Sequence, residues 1–342
     1  MNGEFPYIVA SGSAFQMGLQ NGKQSETLIK KHLLWIERLT GLNRNVLRAN
    51  AMRFLPYIER FSSKYAEEIS GLAEGARILL ADAVLCQTRA EAARRWDGGC
   101  TAFAVLRGAT AGGRIIAGQN QDLELDFADV GVVLRIVPND GRPRAVMFTF
   151  AGQLGYAGLN QYGVCNFANA LYNYKWAPGL PSYPVRRVLL EQRNVDDCVN
   201  VLKRTRTCSA MNVVLADAQG EIADVESRPE ESAVYTDNDP SVRLHTNHYL
   251  TNEFADFENG TLADSVPRLA RARALLRKSW GKTTVDTMKQ ILADHDGSPA
   301  AICRHGAADL HSIAGYIAEP EKGLLHVRRG YGCDGAWTVY RV

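Results

Sequence analysis

The sequence predicts an α+β protein, with a helical first third followed by antiparallel sheets and helices gathered in blocks. Two patterns carry that prediction. Up to about residue 95, apolar residues recur at spacings of three and four, the helical period. After Cys100 the chain breaks into short runs rich in β-branched and aromatic residues, separated by turn residues, and two pairs of runs read as hairpins. Hairpins make neighbouring strands antiparallel, and helices in blocks argue against a parallel βαβ sheet.

Residues 14 to about 95 are expected to be helical. In "QSETLIKKHLLWIERLTG" the stripe is Leu28, Ile29, Leu33, Leu34, Ile36 and Leu39, and Gly41 is the expected stop. "LPYIERFSSKYAEEISGLAEGA" and "LADAVLCQTRAEAARR" have the same character. Next come the strand candidates "TAFAVL", "RIIAGQ", "VGVVLRIV" and "RAVMFTF", with turn signals "TAGG" and "NDGRP" between them. "GVCNFANAL" places Asn169 along a further strand. Two helices follow, "PVRRVLLEQRN" and "VDDCVNVLKRT". "MNVVLADAQGEIADVES" reads as a hairpin turning at Asp217 to Gly220. Helices "SVPRLARARALLRKSW" and "VDTMKQILAD" come next, then a second hairpin turning at Pro320 to Gly323.

Composition sets outer bounds on function. The chain has 342 residues, 46% hydrophobic and 22% charged, enough for a large self-sufficient core. A net charge of +2 gives no basis for expecting a nucleic-acid or membrane partner. No apolar run reaches the length of a membrane span, and the first residues lack a secretory pattern, so a cytoplasmic location is expected. The seven cysteines are odd in number and widely spaced, which favours free thiols. There is no CxxC or HExxH, and His245 and His248 are poorly spaced to share an ion on a strand end, so no metal is expected. "LADHDG" is accounted for as a helix end closing at Gly297.

The junction between the halves is "GGCTAF". Cys86, Cys198 and Cys208 read as small buried hydrophobes. Cys100 differs, because Gly98 and Gly99 free the backbone to bring the thiol against the Gly99 carbonyl. Attack there would turn the peptide bond into a thioester that water can open, leaving Cys100 with a free α-amine. Such an amine has a pKa of roughly 7.7–8.0 and can serve as base for its own thiol. The chemistry then needs a group to orient the amine, an oxyanion donor and a cation. Candidates are Asn120 and Asp122 in "AGQNQDLEL", Asn169 in "GVCNFANAL", Asn247 in "HTNHYL" and Arg304 in "AAICRHG". Taken singly, each reads better as a turn or surface residue. Two other readings stay open: an uncut cysteine enzyme with His245 or His248 as base, and a catalytically inactive binding protein of the same fold.

Taken in order, "GCTAF", "GQNQD", "NQYGVCNFANAL", "HTNHYL" and "ICRHG" resemble the acyl-coenzyme A:6-aminopenicillanic acid acyltransferase family of cysteine N-terminal-nucleophile hydrolases. The resemblance implies a four-layer αββα sandwich of two antiparallel sheets. It also implies autocatalytic cleavage between Gly99 and Cys100, giving a helical leader of residues 1–99 and a catalytic domain of residues 100–342. The cleaved chains would stay together as a heterodimer. Carried across by position, Cys100 is the nucleophile, Asp122 orients the amine, Asn247 supplies the oxyanion donor, Arg304 assists, and Asn169 lines the site. The implied activity is cleavage or exchange of a linear N-acyl bond in a small-molecule substrate, with no resident cofactor and a coenzyme A thioester as acyl donor in the transfer alternative. Gln119 stands where the related bile-salt hydrolases carry an arginine, which favours the acyltransferase branch. In the loop 171–184, Tyr172, Tyr174, Trp176 and Tyr183 are either the wall of an acyl pocket or ordinary loop packing.

Overall fold

A computed structural model describes residues 3–94, 98–172, 176–258 and 263–342. The chain opens with a strand, β1 (Tyr7–Gly12), ahead of the predicted helices. Helix α1 (Ala14–Thr40) starts at Ser13, whose hydroxyl accepts the Gln16 N–H while the Gln16 side chain accepts the Ser13 N–H. It stops at Gly41, which takes the left-handed conformation expected of it, with φ 65°. Helices α2 (Arg44–Met52), α3 (Leu55–Phe61), α4 (Ser63–Ala76), α5 (Leu80–Gln87) and α6 (Arg89–Ala93) follow before residue 98. Helices α1 and α4 cross backbone to backbone: a Cβ added at Gly18 would lie 1.9 Å from the Glu68 carbonyl oxygen. Only glycine permits that approach.

The strands after residue 98 are β2 (Gly99–Val105), β3 (Ile116–Leu123), β4 (Gly131–Pro138), β5 (Ala145–Phe150), β6 (Ala157–Asn160) and β7 (Cys165–Ala170). Helices α7 (Ser182–Leu189) and α8 (Val195–Arg204) precede β8 (Met211–Ala216), β9 (Ile222–Ser227), β10 (Ser232–Tyr235) and β11 (Val242–His245). Helices α9 (Ser265–Lys278) and α10 (Val285–Ile291) lead to β12 (His311–Glu319), β13 (Leu324–Arg329) and β14 (Trp337–Arg341). Both predicted hairpins form, β8–β9 and β12–β13.

Among the described residues the strands make two sheets. The larger runs β1-β4-β5-β6-β7-β8-β9-β10 and the smaller β11-β2-β3-β12-β13-β14. Every pairing is antiparallel except β1 with β4, which is parallel. The sheets face each other: Phe148 of the larger stacks on Tyr316 of the smaller at 4.8 Å, and Gln119 Nε2 reaches across to the Ala168 carbonyl at 2.7 Å. Val185, Leu189, Val195 and Leu202 of α7 and α8 belong to the core of the larger sheet. Leu269, Ala272 and Leu276 of α9, with Met288 and Ile291 of α10, pack on Phe103, Val105 and Ile317 of the smaller. The result is the four-layer αββα sandwich.

Residues 3–94 are bound into this sandwich rather than appended to it. Tyr7 to Gly12 pair with Val133 to Pro138. Trp35 of α1 stacks on Phe127 at 3.9 Å, and Phe127 stacks on Phe150 at 4.1 Å. Glu68 of α4 makes a two-pronged bond to Arg187 of α7 at 3.1 and 3.0 Å, with both side chains buried.

Candidate active site around Cys100

Cys100 sits at the start of β2, the strand beside edge strand β11 in the smaller sheet. β3 flanks it on one side, with Cys100 opposite Gln121 and Gly99 opposite Asp122. On the other side β11 stops at His245, opposite Ala102. Beyond that point a side chain takes over from the ladder: the Cys100 N–H donates to Asn247 Oδ1 at 2.9 Å. Arg268, in the first turn of α9, donates to the same oxygen at 2.9 Å, and also to the Cys100 carbonyl and to Thr101 Oγ1. Asp264 binds Arg268 through Oδ1 at 2.9 Å and Arg304 through Oδ2 at 2.5 Å.

Strand alternation separates the sulfur from the carboxylate. Cys100 shares a face of β2 with Ala102 and Ala104, which join the core between the sheets, whereas Phe103 and Val105 face α9 and α10. Cys100 Sγ lies 3.7 Å from Gln121 Oε1, which also accepts the Tyr156 hydroxyl at 2.7 Å. Burial and the neighbouring Asp122 push the thiol up to about 11, with Arg186 and Arg268 pulling weakly the other way. Arg186 lies 4.4 Å over the Tyr156 ring.

On the helix-facing side Asp122 Oδ1 accepts the Ser312 hydroxyl at 2.6 Å, and Ser312 in turn accepts the Arg304 N–H at 2.9 Å. Asp122 is fully buried, which raises its carboxyl above the ordinary value despite Arg304 and Arg268. Asp122 Oδ2 and Arg304 Nη1 are buried without a hydrogen-bond partner. Both point at Gly99: a Cβ there would come 3.0 Å from Arg304 Nη1, 3.5 Å from Asp122 Oδ2 and 3.6 Å from Asn247 Oδ1. Gly98, at φ +101°, would place a Cβ 2.7 Å from Leu123 and 2.8 Å from the Asp122 carbonyl. The Tyr172 hydroxyl donates to the Gly98 carbonyl. The two glycines thus thread a cradle of charged groups that leaves no room for side chains.

Four of the sequence candidates, Cys100, Asp122, Asn247 and Arg304, therefore meet around one peptide bond. Asn247 holds the Cys100 nitrogen with its oxygen, while its Nδ2 is engaged by the Ala170 carbonyl at 3.0 Å. The donor expected for an oxyanion is thus occupied while residues 98–100 remain continuous. Asn169 donates to the His245 carbonyl at 3.4 Å, and its Oδ1 is buried without a partner. Asn120 turns away from the site to the Leu292 and Ile302 carbonyls. His245 binds Glu226 at 2.9 Å and His248 binds Ser265 at 2.7 Å; among the described residues neither ring bonds Cys100.

In the aromatic loop Tyr172 reaches the residue before the junction bond. Trp176 lines a cavity of about 480 Å³ with Phe54, Tyr57, Arg94 and Pro178. Tyr183 is core, buried beside Tyr156 at 5.9 Å and accepting from Arg89. Tyr174 lies outside the described residues. Sequence reasoning missed Arg268, Asp264 and Ser312. A signal for Arg268 existed, because it lies on the buried stripe Ser265, Arg268, Leu269, Ala272 and Leu276 of α9. An arginine on the apolar face of a helix must be bonded to something.

A family model described as acyl-coenzyme A:6-aminopenicillanic acid acyl-transferase matches residues 109–330. The matched span holds Asp122, Asn169, Asn247, Arg268 and Arg304, and begins after Cys100. The acyl-coenzyme A:6-aminopenicillanic-acid-acyltransferase 40 kDa form of Emericella nidulans is 26% identical over 308 residues, covering 87% of this chain and 84% of that protein. Among solved structures, a mutant conjugated bile acid hydrolase from Clostridium perfringens aligns with a TM-score of 0.49 at 11% identity, over 71% of this chain and 97% of that one. Penicillin V acylase from Agrobacterium tumefaciens aligns with a TM-score of 0.47 at 13% identity, over 67% and 83%.

Proposed function

The chain belongs to the acyl-coenzyme A:6-aminopenicillanic acid acyl-transferase family, and from that premise we propose a self-processing enzyme that cuts or exchanges a linear N-acyl bond through a thioester on Cys100. Its class of reaction is amide-bond acyl transfer or hydrolysis. The observation that carries the finer reading is the cradle at Gly99: a buried carboxylate oxygen and a buried guanidinium nitrogen, both unpartnered, converge on the residue that self-cleavage would release.

In the first step Cys100 Sγ adds to the Gly99 carbonyl carbon. The C–S bond forms as the bond to the Cys100 nitrogen breaks, and that nitrogen takes up the thiol proton. Water then adds to the thioester, giving a Gly99 carboxylate and restoring the thiol. Arg304 Nη1 is positioned to steady the negative charge that develops at Gly99, and Asp122 Oδ2 to hold the new ammonium against Asn247 Oδ1. In turnover the neutral amine takes the Sγ proton, the thiolate attacks the N-acyl carbonyl, and the leaving amine departs with the proton. The acyl group then passes to water, or to an amine bound in its place. Besides water and the substrate, the groups these steps use are the chain's own side chains, the Gly99–Cys100 peptide bond and the new terminus. A coenzyme A thioester, where one takes part, enters as substrate. The heterodimer reading is supported by the strand, aromatic and ion-pair contacts that tie residues 3–94 to the rest.

The deciding experiment is intact-mass analysis with N-terminal sequencing. Wild type is expected to give two chains, the second beginning Cys-Thr-Ala, and Cys100→Ala a single full-length chain. Active wild-type protein of undivided mass would overturn self-processing and leave the uncut cysteine mechanism.

A further inference from the structure

Four side chains that the proposed chemistry does not use converge beside the loop carrying Arg304. His295 follows α10, Cys303 and His305 flank Arg304 in sequence, and Cys333 lies between β13 and β14. One potential ligand atom from each lies within 4.8 Å of all the others. His295 Nε2 and His305 Nε2 face each other at 2.7 Å, and Cys333 Sγ is 3.6 Å from His305 Nε2. The Gly332 N–H donates to Cys303 Sγ at 3.2 Å, a bond that favours a thiolate there.

We infer that His295, Cys303, His305 and Cys333 bind a zinc ion in a tetrahedral site. Two thiolates and two imidazoles are a donor set that suits zinc over the hard cations. With Zn–S near 2.3 Å and Zn–N near 2.0–2.1 Å, ligand atoms on a tetrahedron stand about 3.3–3.8 Å apart. The Cys333–His305 separation falls in that range, and the two histidine nitrogens need only part by roughly 0.6 Å to admit the ion. Two facing imidazole nitrogens without an ion must share one hydrogen, whereas an ion gives both lone pairs a partner. Binding releases the two thiol protons and takes both histidines neutral. Three chain segments supply the ligands, so no short spacing marks the site. The helix-end reading of "LADHDG" misses it because α10 ends at Ile291, which leaves His295 in the loop beyond.

The site is structural in position. It ties the loop of residues 294–305 to that of residues 331–336, and Arg304 lies between two of its ligands. Zinc would thereby fix the segment from which Arg304 reaches Gly99.

The test is metal analysis of tag-free, full-length protein purified without chelators. About one zinc per chain is expected, as is a cobalt-substituted form with the intense thiolate-to-metal absorption of a tetrahedral dithiolate site. Cys333→Ser and His295→Ala, with circular dichroism confirming the fold, should each weaken zinc against a colorimetric chelator by more than about tenfold. Three results would overturn the inference. One is wild type that takes up no zinc on titration. Another is zinc held equally well by both variants. The last is a native mass two hydrogens short, arising from a Cys303–Cys333 disulfide.

Discussion

Arg187 and the Arg268–Arg304 pair are buried to similar depth, and each meets carboxylates. Around Arg187 all is closed: Glu68 takes two of its nitrogens, Glu191 the third, and the Leu154 carbonyl adds a further bond. None of those three charged side chains has a buried atom without a partner. Around Gly99 the network stops short, leaving Asp122 Oδ2 with Arg304 Nε and Nη1 unpartnered. A closed buried network is architecture, and here it joins α4 to α7 across the junction at residue 100. An open one of equal burial carries an electrostatic cost that a group arriving at Gly99 would relieve, and under the proposed function that group is the new ammonium.

The sharpest way to break this contrast is to neutralise the open cluster. Asp122→Asn should slow self-cleavage by about 10²–10⁴-fold, followed as intact mass against time, while the melting temperature holds or rises because a costly buried carboxylate is gone. A melting temperature that collapses with cleavage would put Asp122 on the architectural side. The converse change is Glu68→Ala. It leaves the Arg187 charge to Glu191 alone and should cost on the order of 3 kcal/mol in denaturant unfolding, with cleavage of the folded fraction unchanged. In gel filtration of processed protein the two chains should then separate at lower denaturant than in wild type.

A smaller effect comes from pH. The Cys100 thiol, pushed above its ordinary value of 9.0 to about 11, is neutral near pH 7, and its thiolate fraction grows as pH rises. The first-step rate should therefore climb roughly tenfold per pH unit from 7 toward 9. A flat profile would mean that the neutral thiol attacks or that a later step limits. The smallest expected change is at Trp176, in the cavity lined by leader residues and by 176–178. Trp176→Ala should alter kcat/KM only a few-fold, and unequally across N-acyl substrates of graded length. An equal effect at every length would make the cavity packing rather than an acyl site.

Much of the fold was legible because it rests on local pattern. The Gly41 stop of α1 and the two hairpins follow from spacing and turn residues alone, and so does most of the α1 stripe; Leu34, expected on that stripe, is exposed instead, one position off the buried face held by Ile29, Leu33 and Ile36. Strand β1 was not, since six residues of "YIVASG" lack a partner in sequence and pair with Val133 to Pro138 far along the chain. In the candidate site, Cys100, Asp122, Asn247 and Arg304 were named through glycine chemistry and ordered motifs. Arg268 was missed although its place on the stripe with Leu269, Ala272 and Leu276 was a signal, because four further basic residues, Arg271, Arg273, Arg277 and Lys278, crowd the same helix and mask the one that is buried. The division of labour at Asn247 was also beyond the sequence. Which end of an amide faces which partner depends on where β11 stops and on the Ala170 carbonyl of the other sheet.

Strand β1 caps one margin of the larger sheet, and among the described residues its only ladder partner is β4. Were the first segment lost after a cut at residue 99, the backbone groups of β4 that now face β1, on the side away from β5, would lie bare along a largely apolar strand, an invitation to intermolecular strand addition. Retaining the excised segment would thus keep the mature enzyme from self-association, a protective duty that outlasts any part it plays in folding.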